Sequence, residues 1–72
     1  MYNYVFKMIC AMRNFEDHYL FRENFLLELR KLRSVRSVSN CLDPLIEAYP
    51  EHEDTIRECV AKRMKEVRLA YS

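Results

Sequence analysis

The sequence predicts an all-α fold, a small bundle of about four helices forming one domain over residues 1–72, and three observations predict it. Glycine is absent, and the tight turns that join antiparallel strands rely on glycine for positive φ. Apolar residues recur at helical spacing, most cleanly at Ile56, Cys59, Val60, Met64, Val67 and Tyr71. Both prolines, Pro44 and Pro50, stand just where a helical pattern begins, and at a first helical position proline lacks only a hydrogen bond that the position would not make. Hydrophobic residues make up 50% of the chain and charged residues 32%, a balance unlike the apolar-poor, highly charged composition of disordered chains.

The first element is expected over about residues 2–13 as a short apolar helix. Tyr2, Tyr4, Phe6, Met8 and Cys10 alternate as in a strand, while Tyr2, Val5, Phe6 and Ile9 recur as in a helix. The chain offers no second good strand to satisfy the backbone of the first, so helix is favoured.

The second element is a long central helix expected over about residues 15–36, with Asn14 as N-cap and Glu16 and Asp17 in the first turn, where the helix dipole favours negative charge. At 100° per residue, Phe15, Tyr19, Phe21, Phe25, Leu26, Leu29, Leu32 and Val35 share an arc of roughly 200°. Leu20 and Leu27 form a second, narrower stripe outside it. A helix this apolar around its circumference must be covered on more than one side.

Residues Ser37, Val38, Ser39 and Asn40 read as a turn. Asp43 and Pro44 then start a short helix over about residues 44–49. Pro50 ends it and opens a long C-terminal helix over about residues 51–70, acidic at its start (Glu51, Glu53, Asp54) and basic toward its end (Lys62, Arg63, Lys65, Arg68).

Composition also bounds function. Three cysteines, Cys10, Cys41 and Cys59, form no C-x-x-C pair and leave one over after any single disulfide, so an intracellular chain of the cytoplasm or nucleus is expected rather than a secreted one. The apolar start is interrupted by Lys7 and is too short to span a bilayer, which leads us to expect neither a signal peptide nor a membrane partner. The net charge is +1, but charge is blocked: basic at residues 30–36, acidic at 43–58 and basic again at 62–68.

Motifs with a chemical mechanism are scarce. Glu16, Asp17 and His18 form one acid and imidazole cluster, and His52, Glu53 and Asp54 form another; both fall where helix starts call for acids. No cysteine and histidine spacing matches a metal site, and no glycine-rich loop is available to cradle a phosphate. No catalytic residue, cofactor or metal is therefore expected, and the chain reads as a non-enzymatic regulator or adaptor acting through protein–protein contact, as a homodimer or as one half of a complex with another protein. Leu20, Phe21, Phe25, Leu27, Leu29 and Leu32 are the expected interface residues, large apolar groups of the kind that anchor interfaces. The charge blocks would set register, with the basic 30–36 run meeting the acidic 43–58 run within a hairpin or across a dimer. The alternative is a nucleic-acid-binding regulator using Arg30, Lys31, Arg33 and Arg36 together with the basic tail.

Overall fold

The computed structural model describes residues 3–71 and, among them, five α-helices and one 3₁₀ turn with no strand. The helices are α1 (Asn3–Met12), α2 (His18–Leu29), α3 (Val35–Ser39), α4 (Leu42–Ala48) and α5 (Glu53–Tyr71), and the 3₁₀ turn is Pro50–His52. The all-α bundle expected from the sequence is what forms. Tyr2, placed by the sequence in the first helix, lies outside the described residues.

The central helix departs most from expectation. Its N-cap is Asp17 rather than Asn14: the Asp17 backbone is extended, and its carboxylate accepts a hydrogen bond from the Leu20 amide at 3.1 Å. That satisfies one of the amides left unpaired at a helix start. The helix then stops at Leu29 instead of running to residue 36. Two side chains account for the break. Arg63 of α5 reaches across and donates to the carbonyls of Leu29 (3.2 Å), Arg30 (3.2 Å) and Leu32 (3.1 Å), taking over carbonyls that a continuing helix would have paired internally. Ser34 then caps a new helix, its Oγ accepting from the Ser37 amide at 3.1 Å. The residues expected as a turn, Ser37 to Ser39, are therefore helical in α3.

The later boundaries shift less. The short helix begins at Leu42, placing Asp43 and Pro44 in its first turn, and Pro50 opens a 3₁₀ turn that leads into α5. Within one chain the basic and acidic runs do not pair. Among the described residues the ion pairs are Arg22 with Glu58, Lys31 with Glu28, Arg57 with Glu53 and Arg63 with Glu66, so no pair joins the 30–36 run to the 43–58 run.

Burial follows the wheel at most of the apolar positions. α1 contributes Val5, Met8 and Met12, α2 contributes Phe21, Phe25 and Leu29, and α5 contributes Ile56, Cys59, Val60 and Val67; Val38, Cys41 and Leu45 close the core from α3 and α4. Phe21 and Phe25 lie 5.8 Å apart between ring centres, and Tyr49 meets Phe21 edge-on at 5.4 Å. Truncating either phenylalanine to alanine costs about 3–5 kcal/mol at such sites. Polar ties hold α1 against the residues that flank α4: Tyr49 Oη donates to the Ile9 carbonyl, and Asn40 Nδ2, at the end of α3, donates to Tyr4 Oη at 3.2 Å.

Helix direction follows from which residues meet. His18 contacts His52, Arg22 pairs with Glu58, and Leu29 to Leu32 receive Arg63. Ascending numbers face ascending numbers, so α2 and α5 run parallel, and α3 and α4 carry the chain back between them. This parallel pairing puts the starts of both long helices at one end of the bundle and their ends at the other.

Candidate functional site

The parallel helices sort charge by position. At one end stand the acids of the two helix starts, Glu16 and Asp17 before α2 and Glu51, Glu53 and Asp54 around the start of α5. At the other end Arg30 follows α2, Arg33 lies in the connection and Arg36 in α3, while Lys65 and Arg68 ride the last turns of α5. Arg33 and Arg68 line one crevice of about 260 Å³ with Ser34, Val35, Val67 and Tyr71. Among the described residues Arg30, Arg33, Arg36, Lys65 and Arg68 make no ion pair. The four basic residues expected along the long helix thus lie at and beyond its end, and Lys31 turns back to Glu28 at 3.3 Å. What they form is a basic pole rather than a basic helix face.

The two acid and imidazole clusters read separately in the sequence come together at the acidic end. His18 Nδ1 and His52 Nδ1 are 2.9 Å apart, with the rings edge to face at 4.5 Å between centres. One Nδ1 carries the shared proton and the other accepts it, so the contact requires at least one neutral ring. His52 is only 3% exposed and stacks on Phe21 at 4.1 Å with an interplanar angle of 18°. Burial lowers its pKa below the ordinary histidine value, and the neighbouring His18 lowers it further, against a smaller opposing effect of Glu51. The pair ties the start of α2 to the start of α5. Crevices lie on either side of His52, one of about 390 Å³ with Arg13, Phe15, Glu16, Tyr49 and Glu51 on its walls and one of about 400 Å³ lined by His18, Glu53, Asp54 and Thr55. Among the described residues no three histidine, cysteine or acidic side chains converge as metal ligands would.

The cysteines are all free, Cys10 exposed and Cys41 and Cys59 buried. Burial pushes the Cys41 thiol up to about 11 and raises that of Cys59, which leaves both as thiols that pack as small hydrophobes. Cys41 donates weakly to the Ser37 carbonyl at 3.5 Å.

No family model matches the chain, and no curated protein or solved structure matches it either. Its functional reading rests on its own residues.

The six expected interface residues divide sharply. Phe21, Phe25 and Leu29 are fully buried inside the chain's own core, so they are not surface anchors; α1 and α5 cover the face they occupy. Leu32 is half-buried and packs against that core. Leu20 and Leu27 remain, 49% and 54% exposed, on the opposite side of α2 from Phe25. Tyr19 beside them was placed by the wheel in the covered arc, yet it is 67% exposed, because the arc is wider than the surface that α1 and α5 cover. Phe6, Leu69 and Tyr71 are also exposed, on other helices. The role of Arg63 was missed. Its sequence position among basic residues near a helix end suggested only dipole complementation, and nothing local marks the carbonyls it reaches 31 to 34 residues away. Among the described residues no helix is long and apolar enough to cross a membrane.

Proposed function

We propose that the chain is a non-enzymatic helical binding protein, a regulator or adaptor, whose docking face is the outer side of α2. One observation carries this reading: after the core has taken Phe21, Phe25 and Leu29, two leucines on the far side of the same helix stay about half exposed among the described residues. Single exposed apolar residues are ordinary. A pair two turns apart on one helix face, with Tyr19 beside them and charge of opposite sign at the two ends, has the form of a helix-docking surface, an apolar centre with a polar rim. The three free thiols suit a reducing compartment, and the proposed site of action is accordingly intracellular.

The test is site-specific photo-crosslinking in cells with benzoylphenylalanine at position 27, and at the exposed position 61 of α5 as control. The reading expects a discrete adduct from position 27, absent from position 61 and lost when Leu20→Asp is added. Absence of any adduct specific to position 27 would overturn it.

A second reading has its own observation. The convergence of Arg33 and Arg68 on one crevice gives a local positive site on a chain of net charge +1, suited to phosphate contacts on a nucleic acid. It expects gel-shift binding that weakens steeply with salt and drops when Arg33 and Arg68 are both changed to glutamine. No shift even at about 50 mM salt would end this reading.

A further inference from the structure

We propose that Ser34 is a phosphorylation site for a basic-directed protein kinase, and that Arg33 and Arg68, which line the same crevice, hold the phosphate once it is in place. Two independent observations carry this, and neither functional reading above is needed for it. The first lies in the sequence. Arg30, Lys31 and Arg33 stand four, three and one residues before Ser34, Val35 and Arg36 follow it, and residues 30 to 42 contain no acid. A kinase whose substrate groove is lined with acids selects such flanks, because each basic side chain meets an opposite charge there and an acid would meet a like one. The second lies in the fold. Ser34 precedes α3 and Arg68 is near the end of α5, yet both line one crevice of about 260 Å³ with Arg33, Val35, Val67 and Tyr71. Neither arginine makes an ion pair among the described residues.

Ser34 is exposed, and its backbone is extended at φ -129° and ψ 148°. Its neighbours are worse placed: Ser37 is half-buried, and the Ser39 hydroxyl is held by the Arg36 carbonyl at 3.0 Å. One feature opposes the reaction. Val38 is fully buried, so entry of the segment into a kinase cleft waits on local opening of the five-residue α3, and transfer to the folded chain is slow. The transfer forms a bond from Ser34 Oγ to the γ-phosphorus of ATP and breaks the bond from that phosphorus to its bridging oxygen. ADP leaves, and the hydroxyl proton passes to the kinase's catalytic carboxylate. The hydroxyl now donates to Ser37 Oγ at 2.8 Å and accepts from the Ser37 amide at 3.1 Å; esterification removes the first bond, and the phosphate oxygens accept in its place. A phosphoserine carries a charge of about -2 and pairs with arginine forks. Held by Arg68, it ties the segment before α3 to α5.

The test incubates the folded chain with ATP and the catalytic domain of a protein kinase C, and places the phosphate by tandem mass spectrometry. It is expected on Ser34. Ser34→Asn, which keeps a capping oxygen but has no hydroxyl, is expected to take no phosphate in this segment. Phosphorus NMR of the phosphorylated chain then reads the grip of the arginines: the second ionisation is expected to fall from the ordinary value of about 6 to about 5.5 or lower. Arg68→Gln, which leaves the recognition sequence intact, should bring it back toward about 6. The same substitution should lower the urea midpoint by about 0.5 M more in the phosphorylated chain than in the unmodified one. A chain that takes no phosphate, or takes it only on Ser37 or Ser39, overturns the assignment of the site. A phosphate on Ser34 whose ionisation is the same with and without Arg68 overturns the part given to the crevice.

Discussion

Replacing Arg63 by methionine keeps the aliphatic stem of the side chain but removes the fork that ends α2. The guanidinium makes three hydrogen bonds to carbonyls of Leu29, Arg30 and Leu32, and its side chain is only 13% exposed. Hydrogen bonds to charged groups contribute about 1.5–3 kcal/mol each. The three share one side chain, and the Arg30 carbonyl lies where water can replace the arginine, so the loss is set at about 2–4 kcal/mol rather than at their sum. For 72 residues, a stability of about 4–11 kcal/mol is ordinary, so this one side chain carries a large share. Urea unfolding followed by circular dichroism is expected to show a lower midpoint with an unchanged slope. Arg63→Lys should recover only part of the loss, because an ammonium reaches fewer carbonyls at once. Amide exchange should quicken at Arg30, Lys31 and Leu32, whose amides bond back to α2 carbonyls. A methionine variant within about 0.5 kcal/mol of the wild type would refute the capping account.

Three other outcomes are expected. Folded His52 binds its proton less readily than the ordinary value of 6.5, so the unfolded chain holds more protons as pH falls through 6.5. Stability present above that pH is then lost below it, by no more than about 1.4 kcal/mol per pH unit for one proton. His52→Phe, which keeps the stack on Phe21, should flatten the dependence, and urea midpoints between pH 7.5 and 5.5 read this out. Thiol titration of the native chain with a disulfide reagent near pH 7.5 should show Cys10 reacting at once and Cys41 and Cys59 only on unfolding; prompt reaction of all three would contradict their burial. Ser34→Ala should cost about 1 kcal/mol in the same urea assay, the usual worth of an N-cap, whereas Ser39→Ala, whose hydroxyl only donates back to the Arg36 carbonyl, should change little.

Much of the fold was legible in the sequence because it depended on local rules. The apolar spacing of α5 and the acids at its start describe a helix whatever surrounds it, and the absence of glycine argued against hairpins without reference to tertiary structure. The break after Leu29 was not legible. Residues 30–36 keep an apolar rhythm through Leu32 and Val35 and contain no proline or glycine, and what stops the helix is an arginine on another helix. Parallel packing of α2 against α5 was likewise hidden, since it depends on how α3 and α4 return the chain. The choice between core and surface on α2 was half legible. The wheel separated Leu20 and Leu27 from the main arc, but it could not show that Phe21, Phe25 and Leu29 would be used up inside the chain, nor that the arc would leave Tyr19 uncovered. The meeting of His18 with His52 had only the faint signal of two histidines, each near the start of a long helix.

α2 divides into a buried core face and a half-exposed outer face, the one proposed above to dock, and two aspartates separate the faces most directly. Leu29→Asp places a charge in the fully buried core, and Leu27→Asp places one on the half-exposed outer side. Urea unfolding of both is the decisive measurement. Leu29→Asp is expected to lose about 4 kcal/mol or more, enough to abolish cooperative folding in so small a domain, while Leu27→Asp keeps its stability within about 0.5 kcal/mol of the wild type. Equal destabilisation by the two, or a Leu29→Asp chain that folds normally, would contradict the account.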